Sequence, residues 1–321
     1  MKQTINHNPC IKPQVVSLSG GRTSGYLARI MQDKVEELGW NVHFVFMDTG
    51  AEAPETYEFI RNIVKHWGIK LTVIRTVVHP EMNVGVTYRE ISLDEMGPDL
   101  QPWKDMIAKY GVPTINTPYC TSRMKTEPHD KFCDDKFGKG NYTTWLGIRA
   151  DEPQRLTYYD PNFDMFSMDV PEERAIRYLA ELDLAGKPQI NEWWSKQSFD
   201  LDIEEFAGNC VFCLKKGPKK LYAAAQAYPD MAQEFRDMLH SDEVRVKDSD
   251  KYGRGVIYRG TLSIDNVIRM GRILDKHSLV DALRMEAEYT EDDPTMCSES
   301  CEVMPGQPIK EDQQTIEFEA A

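Results

Sequence analysis

The first 80 residues alternate between short apolar runs and segments with helical spacing, and this alternation limits the fold more than any other feature. Residues 15–18, 42–47 and 70–78 are apolar or rich in β-branched side chains, which predicts buried strands. Between them, residues 24–38 and 54–67 carry apolar side chains at helical spacing. Because strand–helix repeats with short connections form parallel sheets, we predict an α/β fold with a parallel sheet and helices on both faces.

The rest of the chain predicts fewer elements. Residues 79–118 are rich in proline, glycine and methionine, and we interpret them as a connecting segment with one helix near 103–110. A helix at about 121–137 leads into a further inner strand at 142–148, whereas residues 153–185 show no clear pattern. Later helices are predicted at 190–197, at 219–239 with an interruption at Pro229, at 261–274 and at 278–288.

Acidic charge is concentrated at the C-terminus. The net charge is −14, but residues 286–321 hold eleven acidic residues and one basic residue, which leaves 41 acids against 37 bases, or −4, before them. Such a polar, acidic end predicts a disordered tail at 290–321. We therefore expect a nucleotide-binding α/β core at 1–160, a helical C-terminal portion at 161–289 and this tail. The nearly balanced charge of the first two parts does not exclude a nucleic-acid partner.

The location of the protein follows from two further features. No apolar run approaches the length of a membrane span, and the N-terminus has no apolar signal core. We expect a cytoplasmic protein without a membrane partner. Seven cysteines in such a protein favour metal or redox chemistry over disulfides.

The loop Ser19-Gly20-Gly21-Arg22-Thr23-Ser24 joins the first predicted strand to the first predicted helix. Its glycines allow several backbone N–H groups to converge, and a helix N-terminus adds about half a positive charge. The three hydroxyl groups are further donors, and Arg22 can pair with phosphate oxygens. The pattern favours a phosphate-binding loop, and a simple tight turn is the alternative.

Three segments together resemble the phosphoadenosine phosphosulfate (PAPS) reductase family. The loop at 19–24 is similar to the PP-loop of ATP pyrophosphatases, and Met47-Asp48-Thr49-Gly50 with residues 54–59 is similar to the second-strand motif of PAPS reductases. Residues 145–152, with Gly-Ile-Arg149-Ala-Asp-Glu, resemble a third motif of that family. The resemblance implies the adenine nucleotide α-hydrolase fold, with all three motifs at the carboxyl ends of strands, where such sheets bind ligands.

The same resemblance implies roles for individual residues. Asp48 and Thr49 are expected beside the nucleotide, and Arg149 and Lys125 are expected to bind sulfate or phosphate. Cys120 lies at a predicted helix start, where the helix dipole lowers a thiol pKa, and is the candidate catalytic thiol. The alternatives are a turn or helix-capping role for Asp48 and a surface ion pair for Arg149.

Two departures from the family pattern concern activity. Arg22 and Thr23 stand where the usual PP-loop has lysine and aspartate, so the loop keeps its positive charge and loses a carboxylate. PAPS reductases also carry a Glu-Cys-Gly-His-type motif near their end. The nearest segment here, from Cys297 to Cys301, lacks the glycine and the histidine.

Cys120, Cys210 and Cys213 resemble the cysteine arrangement of sulfur-transferring PP-loop proteins, which include tRNA thiolation enzymes and DNA phosphorothioation proteins. In those proteins three cysteines hold a four-iron, four-sulfur cluster and leave one iron open. The resemblance implies the same ligand set here, converging beside the nucleotide crevice. A zinc site is one alternative and needs a fourth ligand such as Cys133, His129 or a tail cysteine. Buried thiols without metal are the other.

These features favour an adenine-nucleotide-dependent sulfurtransferase that uses ATP with Mg²⁺, or an adenylyl sulfonucleotide. A PAPS or adenosine phosphosulfate reductase and a non-catalytic nucleotide-binding protein are the alternatives. The expected partners are a small-molecule nucleotide and a nucleic acid or a sulfur-donor protein. Basic residues near the cysteine pair are compatible with nucleic-acid phosphates or with a solvated turn, and they are Lys215, Lys216, Lys219 and Lys220. For Trp193 and Trp194 we favour core packing over base stacking.

Overall fold

The computed structural model describes residues 12–115, 117–159, 176–246 and 262–289, with side chains described except at 157–159 and 284–289. The strands are β1 (Gln14–Leu18), β2 (Val42–Met47), β3 (Leu71–Val78), β4 (Val86–Ile91), β5 (Thr143–Leu146) and β6 (Ile176–Tyr178). The helices of the first half are α1 (Arg22–Leu38), α2 (Pro54–Trp67), α3 (Gln101–Tyr110), α4 (Glu127–Phe137) and α5 (Pro153–Tyr159). Those of the second half are α6 (Lys187–Trp194), α7 (Pro218–Ala227), α8 (Pro229–Leu239), α9 (Ile264–Ile273) and α10 (Lys276–Tyr289).

The six strands form one sheet in the order β4-β3-β2-β1-β5-β6. Every neighbouring pair is parallel except β3 and β4, which are antiparallel. Strand β1 lies between β2 and β5, with Val15 opposite His43 on one side and opposite Thr144 on the other. The prediction of an α/β protein with a largely parallel sheet is confirmed.

Helices cover both faces of the sheet, because alternate residues of each inner strand point to opposite sides. Val16 and Leu18 of β1 pack against α1, α2 and Trp194 of α6. Val15 of β1, with Val45 of β2 and Ile74 of β3, packs on the other face against Phe132 and Cys133 of α4. The buried Trp194 confirms the packing role predicted for it.

A further hydrophobic cluster joins the C-terminal helices to the loops above the sheet. It contains Trp103 of α3, Leu221 of α7, Phe235 of α8 and Val267 of α9. The Cys-x-x-Cys turn is buried in the same cluster, through Cys210, Val211, Phe212, Cys213 and Leu214. The helical C-terminal portion is therefore packed onto the α/β core.

Two strands differ from the sequence-based expectation. Strand β4 lies within the segment predicted to connect elements, and β6 lies in the segment without a clear pattern. β6 lies beyond residue 160, where the α/β core was predicted to end, and it pairs with β5 in the same sheet. The predicted interruption at Pro229 is confirmed as the boundary between α7 and α8.

Some expectations fall on parts of the chain outside the described residues, namely those for the tail at 290–321, for Cys297 and for Cys301. Within the described ranges, no helix is both long and apolar enough to cross a membrane.

Candidate functional site

The three motif loops meet at one edge of the sheet. Residues 19–21 follow β1, residues 48–53 follow β2, and residues 147–152 follow β5. Because β2, β1 and β5 are adjacent and parallel, their carboxyl ends lie side by side. This edge is where open α/β sheets form ligand crevices.

Gly20 and Gly21 shape the loop after β1. Gly20 has φ +82°, in the left-handed region, and a Cβ there would lie 2.4 Å from Thr56 Cγ2 of α2. Gly21 is the N-cap of α1 in an extended conformation, and no side chain caps the helix in the described structure. The first N–H groups of α1 thus lack the usual side-chain acceptor. Backbone N–H groups that are left open in this way can bind an anion at a helix N-terminus.

Hydrogen bonds within the loop fix its shape. The Ser24 hydroxyl accepts from Ser19 N at 3.1 Å, lies 3.0 Å from the Ser19 hydroxyl, and donates to Gly21 O at 3.0 Å. Ser19 and Ser24 therefore stabilise the loop itself. Thr23 is buried, and its Oγ1 accepts from Arg149 Nη1 at 3.3 Å, which joins the loop after β1 to the loop after β5.

Arg22 is directed away from the loop. Its Nε and Nη2 donate to the two carboxylate oxygens of Asp200 at 2.8 and 3.0 Å, and Nη2 also donates to Leu201 O at 2.6 Å. The Arg22 carbonyl accepts from Trp194 Nε1 at 2.8 Å. A phosphate contact by this guanidinium, as predicted from the sequence, competes with the Asp200 carboxylate.

Asp48 lies at the end of β2, fully enclosed. One carboxylate oxygen accepts from Gly50 N at 2.8 Å and from the Tyr57 hydroxyl at 3.0 Å, and the other accepts from Arg75 Nε at 2.9 Å. Burial, followed by the neighbouring Glu52 carboxylate, raises the Asp48 pKa to about 6, against the opposing effect of Arg75. Asp48 thus holds the crevice loop to β3 and α2 through the contacts expected of a turn aspartate, and its place beside the nucleotide stays a prediction.

Glu52 is the centre of a second buried group. Its carboxylate accepts from the Thr49 hydroxyl at 2.7 and 2.8 Å, and its Oε2 lies 3.0 Å from the Tyr57 hydroxyl, whose single proton it shares with Asp48. Lys125 Nζ lies 3.8 Å from Glu52 Oε1, with both side chains buried. Thr49 is therefore turned toward Glu52, and Lys125 reaches this group from a different part of the chain.

Lys125 lies in a π-helical turn, Ser122–Thr126, which runs directly into α4. Such turns widen the helix by one residue and are frequent at functional sites. Cys120 precedes the turn, is half-buried, and packs against the cluster that contains the other two cysteines. The helix start predicted after Thr121 is thus confirmed, with a π-helical first turn.

The Cys-x-x-Cys turn is attached to the loop after β2 by backbone contacts. Cys210 forms an antiparallel bridge with Glu52, and Val211 N donates to Ala51 O at 2.8 Å. The Cys210 Sγ lies 3.5 Å from Thr49 Oγ1 and 3.7 Å from Glu52 Oε1. Burial, and next the Glu52 carboxylate, raise the Cys210 pKa well above its ordinary value, while Lys125 opposes them.

The three predicted metal ligands, Cys120, Cys210 and Cys213, border one hydrophobic cluster, and Cys210 is directed to a hydroxyl and a carboxylate. Across the described residues, no three histidine, cysteine, aspartate or glutamate side chains are grouped so as to hold a metal ion. A single ion such as zinc therefore has no three-ligand site among these side chains as arranged, and the shared iron–sulfur cluster stays a prediction.

Arg149 is buried at the opposite side of the crevice, after β5. Its Nε donates to Asp151 Oδ1 at 2.7 Å, and its backbone N–H donates to Glu152 Oε2 at 3.0 Å. The side-chain contacts orient the guanidinium toward Thr23. An ion pair within the protein was the alternative to ligand binding. Arg149 forms that ion pair with Asp151 and also lies beside the loop at residues 19–24, so its role toward a ligand stays a prediction.

Sequence reasoning missed three residues of this site. Glu52, Tyr57 and Arg75 connect Asp48, Thr49, Lys125 and Cys210 into one buried network. Glu52 and Tyr57 belong to the motif region after β2, but nothing in that pattern indicates burial. Arg75 is a charged residue inside a run of β-branched residues, and this is the signal that points to a buried ion pair.

Comparisons with known proteins identify a matching family model and two relatives. A family model described as the phosphoadenosine phosphosulfate reductase domain matches residues 13–163, which include all three motif loops. The chain is 40% identical over 296 residues to the uncharacterized nin region protein ORF290 of Escherichia phage lambda, covering 91% of this chain and 96% of that protein. It is 28% identical over 141 residues to an uncharacterized protein of Methanocaldococcus jannaschii, covering 44% of this chain and 24% of that protein.

Proposed function

Because the chain belongs to the phosphoadenosine phosphosulfate reductase family, we propose that its sheet edge binds an adenine nucleotide and uses it to activate an acceptor for sulfur transfer. The nucleotide is ATP, or an adenylyl sulfonucleotide. The reaction class is that of a nucleotide-dependent sulfurtransferase, and we expect it to operate in the cytoplasm.

One observation carries the proposal. The uncapped N-terminus of α1, preceded by Gly20 and Gly21, opens onto the edge where the loops after β2 and β5 also end. A chain of phosphates at this position accepts from backbone N–H groups of α1 and from the hydroxyl of Thr23. Arg149, whose Nη1 lies 3.3 Å from Thr23 Oγ1, donates paired N–H groups to an adjacent phosphate or sulfate.

The activation step follows from this binding mode. An acceptor oxygen attacks the α-phosphorus of ATP, the bond from that phosphorus to the β-phosphate oxygen breaks, and pyrophosphate leaves. The acceptor then carries AMP on its oxygen, and a sulfur nucleophile displaces AMP. Mg²⁺ enters with ATP as its phosphate complex, since Asp48 and Glu52 already accept several hydrogen bonds each. Activation of the acceptor precedes sulfur delivery and does not depend on how the sulfur is held.

Lys125 and Cys120 take different roles in the two candidate reactions. In the sulfurtransferase, Lys125 offsets the Glu52 charge beneath the nucleotide. In a PAPS reductase, a thiolate, for which Cys120 is the candidate, attacks the sulfur of the sulfonucleotide, the bond from that sulfur to the phosphate oxygen breaks, and the adenosine bisphosphate leaves. A thiol of an external dithiol then attacks the sulfonated cysteine, a disulfide forms and sulfite leaves. Lys125 and Arg149 bind the sulfate group before the first step. The match to the reductase domain favours this second candidate, and the absence of the Glu-Cys-Gly-His-type motif from the sequence opposes it.

The test combines binding and product formation. Calorimetric titration with ATP, PAPS and AMP is expected to give micromolar-scale affinity for the first two. The variant Gly20→Ala is expected to lose that affinity, because the new Cβ meets Thr56. Gly39→Ala is the matched control, since Gly39 also has a positive φ, +64°, but a Cβ there meets no atom within 4 Å.

Product analysis separates the candidates. Pyrophosphate release from ATP without sulfite release from PAPS supports the sulfurtransferase, and sulfite release in the presence of a dithiol supports the reductase. Binding of nucleotide without either product leaves a non-catalytic nucleotide-binding protein. If Gly20→Ala folds and binds ATP as tightly as the parent, the loop assignment is wrong.

A further inference from the structure

Helices α8 and α9 border an open cleft of about 370 Å³ at the surface of the helical C-terminal portion. Its charged lining consists of Arg236 from α8 and of Asp265, Arg269 and Arg272 from α9. We call it the arginine cleft. None of its lining residues belongs to the loops at the sheet edge, so it is separate from the nucleotide site.

The charges of the arginine cleft are unbalanced. Arg236 Nε donates to Asp265 Oδ1 at 2.6 Å, and the other oxygen of Asp265 lies 2.8 Å from His240 Nε2. Arg269 contacts the Asn266 side chain at 3.4 Å, and Arg272 has no carboxylate partner among the described residues. Arg236 Nη1 also lies 3.6 Å from Asp237 Oδ1, so Arg236 has two carboxylate neighbours. The charge without a carboxylate partner among the described residues is therefore that of Arg269 and Arg272.

Helical spacing directs this charge to one side of α9. Arg269 and Arg272 are three residues apart, so their side chains are neighbours on the helix surface. Both are exposed, whereas Ile264, Val267 and Gly271 form the buried side of the same helix. Two adjacent, exposed guanidinium groups repel each other, and anionic groups bound beside them remove that repulsion.

We propose that the arginine cleft binds the phosphate groups of a nucleic-acid strand. Guanidinium groups match phosphate oxygens with paired N–H donors, and arginine is the residue most used for this contact. Two cationic groups one helical turn apart suit successive phosphates better than a single small anion. The exposed Gln233 adds a polar side chain and the exposed Ile273 an apolar one, which suits sugar and base edges along a strand. The inference does not depend on the chemistry at the sheet edge.

The test measures binding of a fluorescently labelled single-stranded DNA of about 16 nucleotides by anisotropy, over a range of salt concentrations. The parent is expected to bind with an affinity that falls steeply with salt. The double variant Arg269→Gln, Arg272→Gln is expected to bind about tenfold more weakly, and its salt slope is expected to decrease by about 0.7 for each phosphate that it no longer neutralises. Both positions are exposed, so the fold is expected to persist, as circular dichroism will verify.

Arg89→Gln is the matched control, because Arg89 is an exposed arginine of β4 outside the arginine cleft. It removes the same type of charge and is expected to leave affinity and salt slope unchanged. Equal affinity of the parent and the double variant would overturn the proposal, as would failure of the parent to bind at low salt. Displacement of the strand by inorganic phosphate at concentrations similar to those of the strand would overturn it as well, in favour of a small-anion site. ATP binding at the sheet edge, measured on the double variant, is expected to stay at the parent value.

Discussion

Arg22 and Asp200 form a two-point ion pair, Nε to Oδ1 at 2.8 Å and Nη2 to Oδ2 at 3.0 Å, across 178 residues of sequence. The pair joins the phosphate loop to the segment that follows α6. The guanidinium that replaces the usual loop lysine is thus held by a carboxylate. In the proposed binding mode, a phosphate group and the Asp200 carboxylate compete for the same Arg22 donors.

Replacing Asp200 by asparagine is expected to tighten ATP binding. The variant removes the competing carboxylate and frees Arg22 for phosphate, and an exposed ion pair of this kind is worth about 0–1 kcal/mol, so we expect about a two- to fivefold decrease in the ATP Kd. Calorimetric titration measures it. Asp202→Asn is the control, because it removes the same charge from an exposed residue nearby. Weaker binding by Asp200→Asn would show that Asp200 positions Arg22 for phosphate.

Replacing Arg75 by methionine is expected to destabilise the protein strongly. Arg75 is 4% exposed and donates to Asp48 and Asp99, so its removal leaves the Asp48 charge buried without its cation. Losing one partner of a buried pair costs about 3–5 kcal/mol of unfolding free energy. Urea denaturation measures this difference. Arg89→Met, on the neighbouring strand and exposed, is expected to change stability by about 0.5 kcal/mol or less. Similar stabilities for the two variants would contradict the structural role of Asp48 and Arg75.

The raised pKa of Asp48 predicts a pH dependence. Its folded-state pKa of about 6 exceeds the ordinary 3.8, so the folded protein binds this proton more tightly than the unfolded chain does. The resulting stability is fully present below pH 4 and is lost as the pH rises through 6. Relative to Asp48→Asn, which cannot titrate, the parent is expected to lose up to about 3 kcal/mol of unfolding free energy between pH 4 and 7. Denaturant titrations at several pH values measure it, and a gain by the parent over this interval would mean that Arg75 dominates.

The cysteines are expected to differ in reactivity toward iodoacetamide. Burial and Glu52 keep Cys210 a neutral thiol, whereas Cys120 is half-buried. Because the thiolate is the reactive form, we expect Cys210 to be alkylated at least about tenfold more slowly than Cys120 in the native protein. Peptide mapping by mass spectrometry measures both rates, and alkylation in guanidinium is the control in which they converge. Equal protection of both cysteines, with iron bound to the protein, would instead support the predicted shared cluster.

The first half of the sheet was predictable because its patterns are local. A continuous apolar run defines β2 closely. Apolar residues at helical spacing, ended by Gly39 and Gly68, define α1 and α2, and both glycines adopt the expected left-handed conformation. Strand β4 was not predicted, because it is an antiparallel strand at the edge of the sheet and its side chains are largely polar and exposed. Such a strand lacks both the alternation and the apolar run that identify inner strands.

The position of the site was predictable, but its internal contacts were not. Strand ends and glycines placed the loop after β1 and Asp48 at one edge. The partners of those residues come from distant segments: Asp200 for Arg22, Arg75 for Asp48, and Cys210 for Glu52. Each of these pairs depends on three-dimensional packing, which no short sequence pattern encodes.

The central position of β1 has a consequence for folding kinetics. Its pairing with β2 closes a short segment, from Gln14 to Val42, whereas its pairing with β5 joins Gln14 to Thr143 and closes a far longer one. Since the entropy of closing a loop grows with its length and long-range pairing slows folding, β1, β2 and β3 are expected to assemble first. During synthesis, the emerging chain can then complete the phosphate loop and the loop after β2 well before the ribosome has delivered Arg149. The crevice at the sheet edge is complete only when β5 has joined β1. A ligand that bridges Thr23 and Arg149 is therefore expected to stabilise the completed sheet and not the N-terminal half alone.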